Sequence, residues 1–244
     1  MRRFYAAPEQ FKENSVQLSL EESRHLRDVL RLRAGDEVYI FDGAGKEFHC
    51  RVTETGKGKS VAELELIGEV APPSPESPLN LTLAIALLKG EKFDLVIQKA
   101  TELGVTVIIP LQTKRSDIKL KNGEDANKKL ERWRRVALEA AKQCGRAVVP
   151  EISSPVNFAE FAVAKNDDRT VVLFAERGGE NFGELKAEKI TAIVGPEGGW
   201  DDDELSLAAN NGVRIITLGG RILRAETAGI VVTALLQHSM GDLH

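Results

Sequence analysis

Two glycine-rich segments carry the residue types needed to hold a ligand by its surrounding backbone. Ile193-Val194 runs into Gly195-Pro196-Glu197-Gly198-Gly199-Trp200. Thr217-Leu218 runs into Gly219-Gly220-Arg221-Ile222-Leu223-Arg224-Ala225-Glu226-Thr227-Ala228. Glycine has no Cβ, so N–H and C=O groups in such loops stay open to an incoming molecule. Neither loop has GxGxxG or GxxxxGK[ST] spacing, so neither the dinucleotide nor the P-loop fingerprint is met. Gly-Pro-Glu-Gly-Gly alone reads more simply as a plain turn; two such loops after successive apolar runs point to a ligand site.

A second chemistry is electrostatic. Residues 114–146 hold eleven Lys and Arg against five Asp and Glu, in a chain whose net charge is −4. That excludes nucleic-acid binding by bulk positive charge but leaves a local source of phosphate contacts. The alternative for this segment is a solvated helix face laced with ion pairs. Trp133 sits among Arg132, Arg134 and Arg135, where it can stack on a base or pack internally. Cys50 and Cys144 form no CxxC pair, and with four scattered histidines they offer no metal-site spacing, so no metal is expected.

These groups need elements to position them. At 244 residues, 42% hydrophobic and 29% charged, the chain reads as an ordinary globular protein of one large or two smaller domains. Its longest apolar stretches, such as Leu79–Leu88, are too short to cross a bilayer, and the N-terminus carries no apolar signal core. A cytoplasmic protein is expected. Four of the nine prolines fall within Ala71–Pro78, which predicts a linker between a domain at 1–70 and another at 79–244.

Before the linker the pattern is mostly strand. Val38–Phe41 and Glu47–Val52 flank a glycine-rich turn, Val61–Ile67 alternates, and Ser19-Leu20-Glu21-Glu22 opens a helix predicted to reach Leu32. A small β-barrel with one helix follows. After the linker, apolar strands at Leu79–Leu87, Val105–Pro110, Thr170–Ala175, Ile190–Val194 and Val213–Leu218 alternate with helices. The helices are placed at Lys92–Leu103, Glu124–Cys144, Asp202–Asn210 and Glu226–His238. The pattern predicts an α/β domain with a parallel sheet covered on both faces, binding ligands beyond the carboxyl ends of its strands.

The two loops together, Gly195-Pro196-Glu197-Gly198-Gly199 and Leu218-Gly219-x-Arg221-Ile222-Leu223-Arg224-x-Glu226-Thr227-Ala228, resemble the RsmE family. These are bacterial 16S small-subunit ribosomal RNA uridine-N3 methyltransferases of the SPOUT superfamily. The resemblance covers nearly the whole chain. Met1-Arg2-Arg3-Phe4-Tyr5 and His25-Leu26-Arg27-Asp28-Val29-Leu30-Arg31 are similar to the family's PUA-like RNA-binding domain. Gln98–Val105 and Ala141–Arg146 are similar to its central motifs.

The resemblance implies a C-terminal SPOUT-type trefoil-knotted parallel sheet, a preceding PUA-like β-barrel, an S-adenosyl-L-methionine site in the knot, and a homodimer. Periodicity alone predicts an open, unknotted sheet. The implied cofactor contacts are Leu173, Phe174, Gly195, Pro196, Glu197, Gly198, Gly199, Leu218, Gly219, Ile222, Leu223, Arg224, Ala225, Glu226, Thr227 and Ala228.

Uracil N3 must lose a proton before it attacks, so the reaction asks for proton removal and for stabilisation of the uridine anion. Arg146, Arg115 and Arg224 are the candidates for the anion, with Arg221 behind them, and Glu226 for orienting an arginine or accepting the proton. Arg2, Arg3, Arg24, Arg27, Arg31, Lys114 and Arg115 are the implied RNA contacts. The terminal helix carries Ile230, Val231, Val232, Ala234, Leu235 and Leu236, so apolar all round that it must be buried in a core or against a second chain. Two other readings stay open: a methyltransferase for another RNA position, and a non-catalytic ribosome assembly factor.

Overall fold

The computed structural model describes residues 2–56, 58, 60–118, 123–164, 168–183 and 185–244. Met1 of the N-terminal motif and Lys119 and Lys121 of the basic segment lie outside them. The chain forms two compact units. One runs to Glu76 and includes Ala141–Val149; the other comprises Ser77–Ala140 and Pro150–His244. The sequence boundary at 71–78 places 141–149 with the second domain, whereas its contacts lie with the first unit.

In the first unit, strands β1 (Arg3–Tyr5), β2 (Ser15–Gln17), β3 (Glu37–Phe41), β4 (Glu47–Glu54) and β5 (Glu63–Val70) form one sheet in the order β1-β3-β4-β5-β2. Only β1–β3 is parallel. Alternation decides what is buried: Val38 and Ile40 on β3 and Val52 on β4 join Phe4, Val16, Leu18, Leu26 and Leu64 in the core. The three-residue strands β1 and β2 are too short for alternation to reveal.

Helix α1 (Leu20–Arg24) starts where its cap requires, with the Ser19 hydroxyl accepting from the Glu22 amide at 3.1 Å. It does not continue as an α-helix to Leu32. A π-helical turn covers His25–Val29, closed by the Leu30 amide donating to the His25 carbonyl, and Arg31 follows at φ 54°. Leu26 and Leu32 are both buried, yet six residues along a regular α-helix point to different faces. The widened turn and the left-handed residue return Leu32 to the core.

The second unit opens with β6 (Asn80–Ala86), α2 (Lys92–Glu102), β7 (Val107–Gln112) and α3 (Gly123–Cys144), whose residues from Ala141 onward belong to the first unit. Two short strands, β8 (Glu151–Ile152) and β9 (Val156–Asn157), lead into α4 (Phe158–Val163), β10 (Thr170–Ala175) and β11 (Glu180–Asn181). The chain closes with β12 (Lys189–Val194), α5 (Asp202–Asn210), β13 (Arg214–Thr217) and α6 (Ala225–Met240). The order across the sheet is β11-β13-β10-β12-β6-β7-β8, with β9 also on β7, and every pairing is parallel. Adjacent residues on β6 show how both faces are covered. Ala84 packs in a cluster with Phe158, Trp200 and Ala208 from the α4 and α5 side. Ile85 faces α2 and α6, where a Cβ on Gly229 would lie 2.9 Å from its Cδ1 and 3.6 Å from Val96.

Candidate functional site

Spatial order explains why the two glycine loops meet. Strands β12 and β13 are not neighbours; β10 lies between them. Loops leaving the carboxyl ends of all three therefore surround one volume. It is a cavity of about 410 Å³, walled by Phe174, Ala175 and Glu176 at the end of β10 and by Val194 to Trp200 at the end of β12. Thr217 to Leu223 at the end of β13 and Ala225 and Ala228 of α6 complete it. That size and its largely apolar and backbone lining suit a small-molecule ligand.

The glycines are needed where they stand. A Cβ on Gly195 would lie 2.8 Å from the Trp200 indole nitrogen, and one on Gly198 would lie 3.1 Å from both Cβ and the carbonyl oxygen of Arg115. Gly199 has φ +70° and abuts the Glu176 carboxylate, so that a Cβ there would stand 2.8 Å from Oε1. The loop backbone thus reaches places that side chains would fill. Trp200 itself is buried and its Nε1 donates to the Phe174 carbonyl at 2.9 Å.

The loop then enters α5 through a capping box. The Asp201 carboxylate accepts from the Asp203 amide and the Glu204 carboxylate from the Asp201 amide. The other Glu204 oxygen accepts from the Lys114 amide at 2.8 Å, fixing the chain after β7 to the same helix. Lys114 and Arg115 reach Asp201 at 3.0 and 3.2 Å. Bonds to Asp203 and Asp201 push the Lys114 ammonium up to about 12. The Lys114 bond, against opposing desolvation and with help from the Asp203 amide, holds the Asp201 carboxyl below the usual range.

Of the expected cofactor contacts, Phe174, Gly195 to Gly199, Leu218, Gly219, Ile222, Leu223, Ala225 and Ala228 line the cavity. Leu173, Arg224, Glu226 and Thr227 do not. Leu173 is inside the sheet core and Arg224 is an exposed residue capping α6. Glu226 pairs with Lys92 on α2 at 3.7 Å. Sequence reasoning missed Glu176, Trp200 and the wall residue Arg221 as contacts. Glu176 immediately follows a predicted strand, so the strand-end rule already pointed to it.

The arginines divide sharply. Arg115 is exposed beside the Gly198 backbone, and Arg24 and Arg31 are exposed in the first unit. Arg2 pairs with Asp36 at 3.3 Å, and Arg27 with Asp28 at 2.8 Å. Arg3 is 7% exposed and makes a forked pair with Glu47, stacks over the Phe41 ring at 3.9 Å, and donates to the carbonyls of Ala141 and Arg146. The Arg146 side chain is also buried, its Nε and Nη2 both engaged on the Glu76 carboxylate. A phosphate contact by Arg3 or a substrate contact by Arg146 would require breaking a buried ion pair. Trp133 packs on Phe93, ring centroids 4.6 Å apart.

Known proteins share this fold. Residues 75–237 match the RNA methyltransferase domain model and residues 19–65 the RNA methyltransferase PUA domain model. The ribosomal RNA small subunit methyltransferase E of Synechocystis is 37% identical over 239 residues, covering 95% of this chain and 76% of that protein. The Bacillus subtilis protein of the same name is 33% identical, covering 89% and 88%. The crystal structure of the Neisseria gonorrhoeae methyltransferase E bound to S-adenosyl methionine superposes with a TM-score of 0.89, at 34% identity and full coverage of both chains. A Legionella pneumophila methyltransferase with the same cofactor bound also gives 0.89, at 32% identity and 99% coverage of both. With a PUA domain, an RNA methyltransferase domain and full-length relatives of one name, the chain belongs to the ribosomal RNA small subunit methyltransferase E family.

Proposed function

We propose that this protein transfers a methyl group from S-adenosylmethionine to N3 of a uridine in small-subunit ribosomal RNA. One observation carries the reading: the two motif loops, separated in the chain by α5 and β13, close a single cavity at the carboxyl ends of β12 and β13, with β10 between those strands. The Gly195, Gly198 and Gly199 cradle fits a cofactor held largely by backbone, and the family supplies relatives solved with that cofactor bound. When bound, the sulfonium supplies an already electrophilic methyl group. The residues of the chain must do the rest: hold the cofactor, admit the base and stabilise the uridine anion.

Arg115 is the leading candidate for the last task, since it is exposed, its main chain and Cβ lie beside the cofactor loop at Gly198, and its side chain is held by a surface pair with Asp201 rather than inside the cavity; Arg224 stands second. Arg146 acts through Glu76, holding residues 141–149 in place. The exposed Arg24 and Arg31, with Arg2 and Arg27, supply RNA phosphate contacts from the PUA unit. The protein works in the cytoplasm as a homodimer with a trefoil-knotted second domain. Support for the dimer comes from α6, where Ile230, Val231, Ala234 and Leu235 remain partly exposed. RNA-facing residues of one chain then lie beside the cofactor of the other.

The test is direct. Incubation with labelled S-adenosylmethionine and unmethylated small subunits, followed by mass spectrometry of the RNA, places the label on one uridine. Label at another base or at a ribose hydroxyl would refute the assigned position.

A further inference from the structure

Lys92 begins α2, a position where the helix macrodipole disfavours a cation. It nonetheless stands between two carboxylates of the cofactor motifs. Its Nζ is 3.1 Å from Glu197 Oε1 and 3.7 Å from Glu226 Oε2. Glu197 belongs to the loop after β12 and also accepts from the Lys89 amide at 3.4 Å. Glu226 is on the first turn of α6; its side chain is 13% exposed, and its Oε2 is buried with no hydrogen bond. One turn further along α6, Gly229 allows the close approach to α2 that brings Glu226 to Lys92.

We propose that Lys92 is a positioning residue that, through Glu197 and Glu226, fixes the cofactor loop and sets the charge beside it, so that the pocket prefers the sulfonium cofactor to its demethylated product. The inference rests on the cofactor reading above. Two carboxylates and one ammonium leave a net charge of about −1 in the Lys92 cluster beside the cavity, whose wall residues Glu176 and Arg221 are of opposite sign, and Glu226 is shielded from water, where charge interactions are stronger than at an open surface. S-adenosylmethionine carries a sulfonium, an ammonium and a carboxylate, about +1 in all. Loss of the methyl converts the sulfonium to a neutral thioether, and S-adenosylhomocysteine has no net charge. A site of net negative charge therefore draws in the methyl donor and loosens its hold on the spent cofactor. A lysine at this place also spares the two carboxylates from repelling each other, which would push the loop away from α6.

Calorimetric titration of the full chain with each ligand separately tests both halves. Glu226→Gln keeps the shape and removes one charge. It should weaken S-adenosylmethionine by roughly three- to tenfold and change S-adenosylhomocysteine by less than about twofold. Lys92→Met should weaken S-adenosylhomocysteine by roughly tenfold, because the loop is no longer tied to α2, and S-adenosylmethionine by less, because the cluster becomes one charge more negative, while Lys92→Arg restores most of the loss. Circular dichroism confirms that each variant is folded. Equal effects of Glu226→Gln on both ligands would overturn the charge selection. Wild-type affinities in Lys92→Met would overturn the positioning role. A wild-type chain that bound neither ligand would remove the cofactor reading itself, a distinct failure.

Discussion

The Trp200 indole donates its Nε1 hydrogen to the carbonyl of Phe174 at 2.9 Å, joining the loop after β12 to the end of β10 from within the core. The same ring lies against Gly195 and packs on Phe158, centroids 4.7 Å apart. One side chain therefore fixes the entrance to the glycine loop and two walls of the cavity. Trp200→Phe keeps much of the ring but removes the donor from a buried acceptor. Urea unfolding should show a loss of about 1–3 kcal/mol, and calorimetry should show weaker S-adenosylmethionine binding. Unchanged cofactor affinity would mean that the loop holds its shape without the strut.

Gly198 and Gly219 should fail differently when replaced. A Cβ at Gly219 has nothing within 4 Å, but its φ is +59°, so strain rather than space restricts it. Asn tolerates the left-handed region and a β-branched residue does not. Gly219→Asn should retain cofactor affinity far better than Gly219→Val, which should abolish measurable binding. Gly198 lacks that dihedral constraint, but a Cβ there would stand 3.1 Å from Arg115, so size alone should rank the variants, with Ala best. The same ranking at both positions would contradict this distinction.

Much of this is readable from residue order, and the parts that are not share a physical cause. The Asp202–Asn210 helix agrees because Asp201 and Glu204 announce its start by capping, and Thr170–Ala175 because an apolar run between polar flanks leaves little choice. Strands β8, β9 and β11 have two residues each, too few for any period. The glycine loops are legible as a site because their spacing is unusual, yet their meeting depends on β10 inserting between β12 and β13, which local pattern does not encode. The arginines are hardest. Arg3 and Arg115 look alike in a sequence, and only tertiary partners make one a buried strut and leave the other exposed.

Cys50 offers a check on the first unit's core. It is fully buried, and burial pushes its thiol up to about 12. A raised folded-state value favours the protonated form. Its contribution to stability is therefore complete below the ordinary thiol range and is lost as pH rises through that range toward the folded value. Native protein at pH 8 should consume a thiol reagent at Cys144, which is partly exposed, and leave Cys50 unlabelled until urea is added. Rapid native labelling of Cys50 would mean that the sheet opens far more readily than its packing suggests.

Arg146 and Arg115 provide the sharpest contrast. The Arg146 fork meets Glu76 through Nε, 3.1 Å from each carboxylate oxygen, and through Nη2, and the side chain is 4% exposed. A lysine places one ammonium against that carboxylate and cannot reproduce the paired contacts. Arg146→Lys should therefore lower stability by roughly 1–3 kcal/mol, with the folded fraction still turning over at the wild-type rate. Arg115 is 42% exposed at its side chain and its bond to Asp201 is a surface pair, so Arg115→Lys should change stability by no more than about 1 kcal/mol. If its guanidinium stabilises the uridine anion, the same change should cost at least about tenfold in kcat, roughly 1.4 kcal/mol of transition-state stabilisation. Thermal unfolding and single-turnover methylation on the same two variants separate the roles. A stable Arg146→Lys protein with a tenfold slower transfer would place the catalytic arginine at Arg146 and make the Glu76 pair something that opens during turnover.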